Sequence, residues 1–229
     1  MRRDPQDRRI LGLFADILDY PCAGAADKAA ECETLIGEAA PEAAALLHDF
    51  RSYAEDTPIG RLEEVYSGFF DLNPVCHPYI GYQLFGENYK RSSFLLGLKE
   101  RYRAGAFEAS ASEVADRLSI VLRFVAQSGG DGEIGDLVRE GLLPALRRMT
   151  ARPESSDPGH DGAIDFDGDT GLDRRQLDGH SHGEVLGGGF VLQTGGQGGE
   201  GDADGDSLPH PYHRALQALR IVLRDSWQT

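Results

Sequence analysis

Cysteine is scarce in this sequence: Cys22, Cys32 and Cys76 are the only three among 229 residues. Three thiols cannot all pair with one another and none stands in Cys-x-x-Cys spacing, which argues against a disulfide framework or a zinc ribbon and fits a reducing compartment. Positive charge is also short. Lys and Arg number 23 against 38 Asp and Glu, a formal net charge of −15. The chain therefore lacks the cation surplus with which nucleic-acid and anionic-membrane binders displace counterions, and no nucleic acid is expected among its partners. A charged partner should itself be basic. Apolar runs are brief as well: none reaches the ~18–20 residues that span a bilayer, so no integral membrane segment is expected. Met1-Arg2-Arg3 with Arg8-Arg9 before Ile10-Leu11-Gly12-Leu13-Phe14-Ala15 superficially has the form of a twin-arginine export signal. Asp16 and Asp19 interrupt its apolar run and no small-residue cleavage site follows, so it reads as a first domain helix in a cytoplasmic protein.

What is abundant is concentrated. Residues 151–209 hold 13 acidic and 3 basic residues, 15 of the 29 glycines and only 13 apolar residues. Such a segment cannot bury enough apolar surface to offset roughly 1–2 kcal/mol of backbone entropy per residue, and it is expected to be disordered. Outside it the spacing is helical almost throughout. Ile10, Leu13, Phe14, Ile17 and Leu18 share a face that ends at Tyr20-Pro21. An Ala/Glu-rich stretch from Ala25 to Ala39 precedes Pro41, which suits the first turn of a helix carrying Ala45, Leu46, Phe50 and Tyr53. Thr57-Pro58 reads as a cap and a first-turn proline for Leu62, Val65, Tyr66, Phe69 and Phe70.

One amphipathic helix is predicted from about Gln83 to Tyr102. The next is predicted to be capped by Ser112 and to carry Val114, Leu118, Val121, Leu122 and Val125. A further helix from Asp131 bears Ile134, Leu137, Val138, Leu142, Ala145 and Met149, with a bend at Pro144. Tyr212, Ala215, Leu216, Leu219, Val222 and Leu223 repeat the pattern after the insert. The expected fold is all-α: a single-domain bundle of about seven or eight helices. Residues 1–150 form its helical domain, 151–209 the disordered acidic Gly-rich insert, and 210–229 a C-terminal helix packing back on the bundle.

Catalytic chemistry finds little support in the pattern. There is no Gly-x-Ser-x-Gly elbow and no phosphate-cradling glycine loop between a strand and a helix. Cys76-His77 places a thiol beside an imidazole, but no further ligand stands at fixed spacing. In the insert, His160, His180 and His182 accompany Asp165-Phe166-Asp167-Gly168-Asp169 and Asp202-Ala203-Asp204-Gly205-Asp206, which resemble the opening of a calcium loop. Neither completes it: Thr170 and Ser207 stand where glycine is needed, and Gln176 and His213 where a bidentate glutamate is needed. Arg174-Arg175-Gln176-Leu177 could imitate a twin-arginine peptide, but reads as a charged patch of the insert. The expectation is no catalytic residue, no metal site and no cofactor, and the protein is not expected to be an enzyme.

The informative block runs from Leu62 to about Ala126. It contains Leu62-Glu63-Glu64-Val65-Tyr66 and Phe69-Phe70-Asp71, then His77-Pro78-Tyr79-Ile80-Gly81-Tyr82-Gln83-Leu84-Phe85-Gly86-Glu87, Tyr89-Lys90-Arg91-Ser92 and Glu113-Val114-Ala115-Asp116-Arg117-Leu118. Here the chain resembles the all-helical chaperones that mature molybdenum-containing oxidoreductases, most closely the NarJ-type nitrate reductase assembly branch. Tyr66, Phe70 and Asp71 match a Tyr-x-x-x-Phe-Asp segment, Leu84, Phe85, Glu87 and Arg91 a Leu-Phe helix, and Glu113 and Asp116 a Glu-x-x-Asp-His motif. The sequence departs from that motif at Arg117, where histidine is usual, and at Ala115, where proline is common.

The resemblance implies binding of the N-terminal peptide of an apo molybdoenzyme catalytic subunit, foremost the nitrate reductase alpha subunit. The subunit is held for molybdenum cofactor insertion, and cofactor-insertion proteins are further implied partners. The implied peptide site comprises Tyr66, Phe70, Asp71, His77, Pro78, Tyr79, Gly81, Tyr82, Phe85, Glu87, Tyr89, Arg91, Glu113 and Asp116. Tyr79, Tyr82, Phe85 and Tyr89 would take the apolar side of a basic amphipathic peptide, and Glu87, Glu113 and Asp116 its arginines. The alternatives are service to another enzyme of that superfamily, such as a selenate, chlorate or hydrocarbon oxidoreductase, or a metal-binding protein using Cys76, His77 and the insert carboxylates.

Overall fold

Asp4 starts the first helix: its side chain accepts a hydrogen bond from the Gln6 amide at 3.1 Å, and Pro5 follows at a position whose amide would be unpaired anyway. The structure, a computed structural model, describes residues 4–72, 74–109, 113–128, 132–151 and 210–227. Helix α1 (Pro5–Ile17) buries Ile10, Leu11, Leu13, Phe14 and Ile17 and packs on α2 (Ala25–Ile36) and α7 (Leu118–Gln127). Helix α3 (Pro41–Asp56) lies between α2 and α10 (Pro211–Trp227). Pro41 occupies its first turn as the sequence indicates, whereas Pro58 sits one residue before α4 (Ile59–Phe70), in the cap position. Among the described residues every regular segment is helical, as the periodicity predicts.

Two helix boundaries differ from the prediction. The helix expected over Gln83–Tyr102 is two, α5 (Ile80–Phe85) and α6 (Tyr89–Ala104). Gly86 adopts φ +62, a conformation that favours glycine, and the Asn88 side chain caps α6 by accepting from the Lys90 amide at 3.1 Å. The helix expected from Ser112 begins only at Leu118, leaving Val114 outside it and 41% exposed; Ser112 lies outside the described residues. Backbone pairing explains the delay. The Ile80 amide donates to Asp116 O and the Leu118 amide to Pro78 O, both at 2.8 Å, in an antiparallel bridge between Tyr79 and Arg117. Residues that spend their backbone groups on that bridge cannot also close a helical turn.

The segment α8 (Gly132–Asp136), a π-helical turn (Leu137–Leu142) and α9 (Leu143–Met149) run on without a break. Pro144 stands two residues after the wide turn ends at Leu142. It has no amide to donate four residues back, and the Leu143 amide reaches five residues back to Val138 O. The helix thus meets its proline by widening. Helix α10 packs on α3 and α9 through Tyr212, Ala215, Leu216, Leu219 and Leu223, all buried. The Tyr212 ring meets Phe50, Tyr66 and Phe70 at centroid distances of 5.3–5.5 Å, so residues far apart in sequence share one aromatic core. Residues 152–209, with their expected disorder, the histidines, the calcium-loop-like segments and Arg174-Arg175-Gln176-Leu177, lie outside the described residues.

Candidate peptide-binding site

The predicted site residues divide into a buried frame and an accessible edge. Tyr66, Phe70, Pro78, Gly81 and Asp116 are buried and belong to the frame. Tyr79, Tyr82 and His77 are half-buried, Phe85 is 36% exposed, and Tyr89 is 75% exposed. Asp71 and Glu87 are exposed.

Asp116 is fully buried, and the guanidinium of Arg91 reaches it through Nε at 3.1 Å and Nη2 at 3.4 Å. The local Arg91–Glu87 pairing that four-residue spacing permits is thus replaced by a bond across two elements. Arg91 also lies 5.4 Å from the Tyr79 ring centre and 5.7 Å from that of Tyr82, within cation–π range. His77 packs its ring on Tyr82 at 4.0 Å, and Gln83 Nε2 donates to His77 O at 2.9 Å. One buried ion pair therefore orients the aromatic residues at the start of α5.

Glu113 is also occupied, accepting from Arg117 at 2.8 Å. Arg117, where the resembled motif has histidine, bonds to the Tyr66 hydroxyl at 2.8 Å and pairs with Asp19 at 3.4 Å. Burial alone would lower its pKa, but Tyr66, Glu113 and Asp19 together raise it well above the ordinary arginine value. Burial likewise pushes the Tyr66 hydroxyl up. Arg117 thus ties α4, the end of α1 and the start of α7 together, and the sequence departure has an internal use. Glu113 and Asp116, expected to receive a partner's arginines, are each neutralised from within.

Of the thiol-and-imidazole alternative, the structure describes Cys76 and His77, while the insert carboxylates lie outside the described residues. Cys76 is 6% exposed and burial pushes its thiol pKa up to about 12, the reverse of an activated nucleophile. Among the described residues no three His, Cys, Asp or Glu side chains gather as a metal site.

Two hollows adjoin the predicted residues. Glu113 borders one of about 540 Å³, walled by Tyr102, Phe107, Ala109 and Ala115 with Lys99 and Arg103. The other, about 220 Å³, lies between α5, α6 and the π-turn; Leu84, Phe85, Phe94 and Leu137 face Asp136, Glu140 and Arg101 there. Its frame is held by Arg148, which donates to the carbonyls of Gln83 and of Leu84, the latter at 2.9 Å. Those carbonyls end α5, where helix geometry leaves acceptors unpaired and a cation is favourable. Phe94, Arg101, Asp136, Glu140 and Arg148 are absent from the sequence-predicted site. The acidic pair at four-residue spacing was visible in the sequence, but its placement opposite Phe85 depends on tertiary packing.

The comparison that bears on identity is with a Bacillus subtilis (strain 168) protein described as a nitrate reductase molybdenum cofactor assembly chaperone, NarJ. It is 31% identical over 112 residues, which are 49% of this chain and 59% of that protein. Over that stretch the chain is similar to a NarJ-type maturation chaperone. It spans about three-fifths of the length of that NarJ relative. A crystal structure from Archaeoglobus fulgidus, described as a redox enzyme maturation protein, superposes at a TM-score of 0.45 with 26% identity, over 64% of this chain and 85% of that one. No protein-family model matches the chain. In this chain Tyr66, Phe70 and the Arg91–Asp116 pair are internal struts beneath an aromatic edge.

Proposed function

We propose that this chain is a non-catalytic maturation chaperone that binds the N-terminal region of an apo molybdoenzyme catalytic subunit. It holds that subunit while the molybdenum cofactor is inserted and the complex assembles. The client is a nitrate reductase alpha subunit and the compartment is the cytoplasm. Kinship with NarJ supports the class, and no helix among the described residues is long and apolar enough to cross a membrane. The observation that carries the binding role is the unsealed aromatic edge of α5 and α6, where Phe85 and Tyr89 remain exposed beside the half-buried Tyr79 and Tyr82. Large rings left exposed in this way are the usual anchors of helix-in-groove recognition.

The buried members of the predicted set act in this reading as supports. Asp116 and Arg91 hold Tyr79 and Tyr82, Tyr66 and Phe70 pack into the aromatic core with Tyr212, and Gly81 leaves room for Asp116, Phe94 and Arg91 against α5. Glu87 and Asp71 are the exposed carboxylates of the predicted set that join no ion pair among the described residues, whereas the exposed Glu113 is paired with Arg117. Isothermal titration with a peptide copying the N-terminus of the cell's own nitrate reductase catalytic subunit tests this. Tyr89→Ser, at a position that contributes little to the core, should weaken binding on the order of tenfold, in line with a hot-spot aromatic. Unchanged affinity for both Tyr89→Ser and Phe85→Ser would place the peptide elsewhere.

A further inference from the structure

We infer that the groove between α5, α6 and the π-turn seats one apolar anchor of the client peptide, and that Glu140 is the carboxylate meeting the peptide's cation. This deepens the peptide-binding reading and rests on it. Glu113 and Asp116 cannot serve that role without breaking internal ion pairs, since Asp116 is sealed beneath Arg91 and Glu113 is held by Arg117. Glu140 is exposed on the groove and joins none of the ion pairs among the described residues. Asp136 shares the lining and pairs with Arg139 at 2.7 Å, both largely exposed. An exposed pair of that kind is weak and readily exchanged.

The hollow's size selects its occupant. At about 220 Å³ it lies below the ~300–1,000 Å³ of small-molecule sites, and its apolar walls suit one large side chain. Phe85 and Phe94 stand 5.9 Å apart at a 58° tilt, so their rings form two walls, with the buried Leu137 beside them. Arg101 has an Nε atom that is buried without a partner, a donor suited to a peptide carbonyl. Among the lining residues themselves two carboxylates, Asp136 and Glu140, stand with one guanidinium, Arg101, and Glu140 is the carboxylate left without an ion pair among the described residues, with Arg139 on Asp136 and Arg148 on the frame. A peptide presenting a Leu or Phe with an Arg or Lys one turn away fulfils all three features; an acidic peptide fulfils none of the charge terms. The π-turn contributes by shape: Gly141 sits where an added Cβ would lie 3.4 Å from Leu137, so a larger residue would fill the floor.

The test uses the full chain, fluorescence anisotropy and two probes. One is the N-terminal peptide of the nitrate reductase catalytic subunit; the other is a designed amphipathic helix with Leu and Phe on one face and two flanking arginines. Glu140→Lys should weaken both on the order of tenfold at low salt. Exchanging the designed helix's arginines for glutamates should abolish binding to the native chain and restore it to Glu140→Lys. If the designed helix binds and responds while the client peptide does not bind, the groove stands and the client reading falls. If the client peptide binds but ignores Glu140→Lys, the groove falls and the client reading stands. Loss on Glu140→Lys without rescue by the charge-exchanged helix would show a general field effect and overturn the groove assignment. Absence of binding by either probe would overturn both.

Discussion

Gly81 shows how narrowly the edge is set. A Cβ there would lie 2.8 Å from Asp116 Oδ2 and 2.9 Å from Phe94 Cδ1, with Arg91 Cγ at 3.2 Å. The carboxylate cannot retreat because Arg91 holds it, so Gly81→Ala should cost roughly 1–3 kcal/mol by overpacking and lower the thermal midpoint by several degrees. An unchanged midpoint would show that the loop yields. His210 offers a pH test at the same scale. Its ring stacks on Phe69 at 4.2 Å, and burial depresses its pKa to about 4, with His213 adding to the effect. The unfolded chain binds the proton below about 6.5 and the folded chain resists it down to about 4. Stability from this residue is therefore complete above pH 6.5 and falls as pH drops through that window, by an amount on the order of 2–3 kcal/mol. His210→Phe keeps a ring over Phe69 but cannot titrate, and its melting midpoint should fall less than the native chain's between pH 6.5 and 4.5. Parallel curves would assign the acid sensitivity to other groups. None of these couplings was legible beforehand. Tyr66, Phe70 and Asp116 could be singled out by type and motif, yet whether a ring or carboxylate faces inward depends on partners such as Arg91 and Arg117 at other positions.

At the scale of elements, the sequence was most informative where periodicity and punctuation agreed. Pro41 marks the start of α3, Ala25 opens α2, and the face of Tyr212, Leu216, Leu219 and Leu223 buries as its spacing indicates. It was least informative between α5 and α6, where Phe85, Tyr89 and Leu96 keep helical spacing across a real break. The signals were present in Gly86 and Asn88, but apolar periodicity outweighed them. The late start of α7 had no local signal, because the bridge to Tyr79 that consumes those backbone groups is non-local. The cap gives a direct check: Asn88→Ala removes the acceptor for the Lys90 amide and should cost about 1 kcal/mol by denaturant titration, whereas Asn88→Asp should preserve stability. Equal stability of the Ala and Asp variants would mean that the break is maintained by Gly86 and Arg148 alone.

At the scale of the whole molecule, the charge is divided unevenly, with a net −10 in residues 151–209 out of −15. We propose the division into a helical portion, 1–150 with 210–229, and a tether, 151–209, that contributes little to stability. Replacing residues 155–207 by a short Gly/Ser linker should leave the thermal midpoint unchanged or slightly raised, since each halving of a loop saves only about 0.6 kcal/mol of closure entropy; a marked fall would show that the segment packs on the helices. The carboxylates of the groove and the exposed rings are the basis of the proposed role, a chaperone that grips a cationic, amphipathic N-terminus and does no bond chemistry. Its most direct measurement is titration calorimetry of the purified full chain with the N-terminal peptide of the nitrate reductase catalytic subunit at two salt concentrations. Saturable one-to-one binding that weakens as salt rises, and is lost when the peptide's arginines become glutamates, is the predicted result. No heat at either salt concentration, or equal affinity for the glutamate peptide, would contradict it.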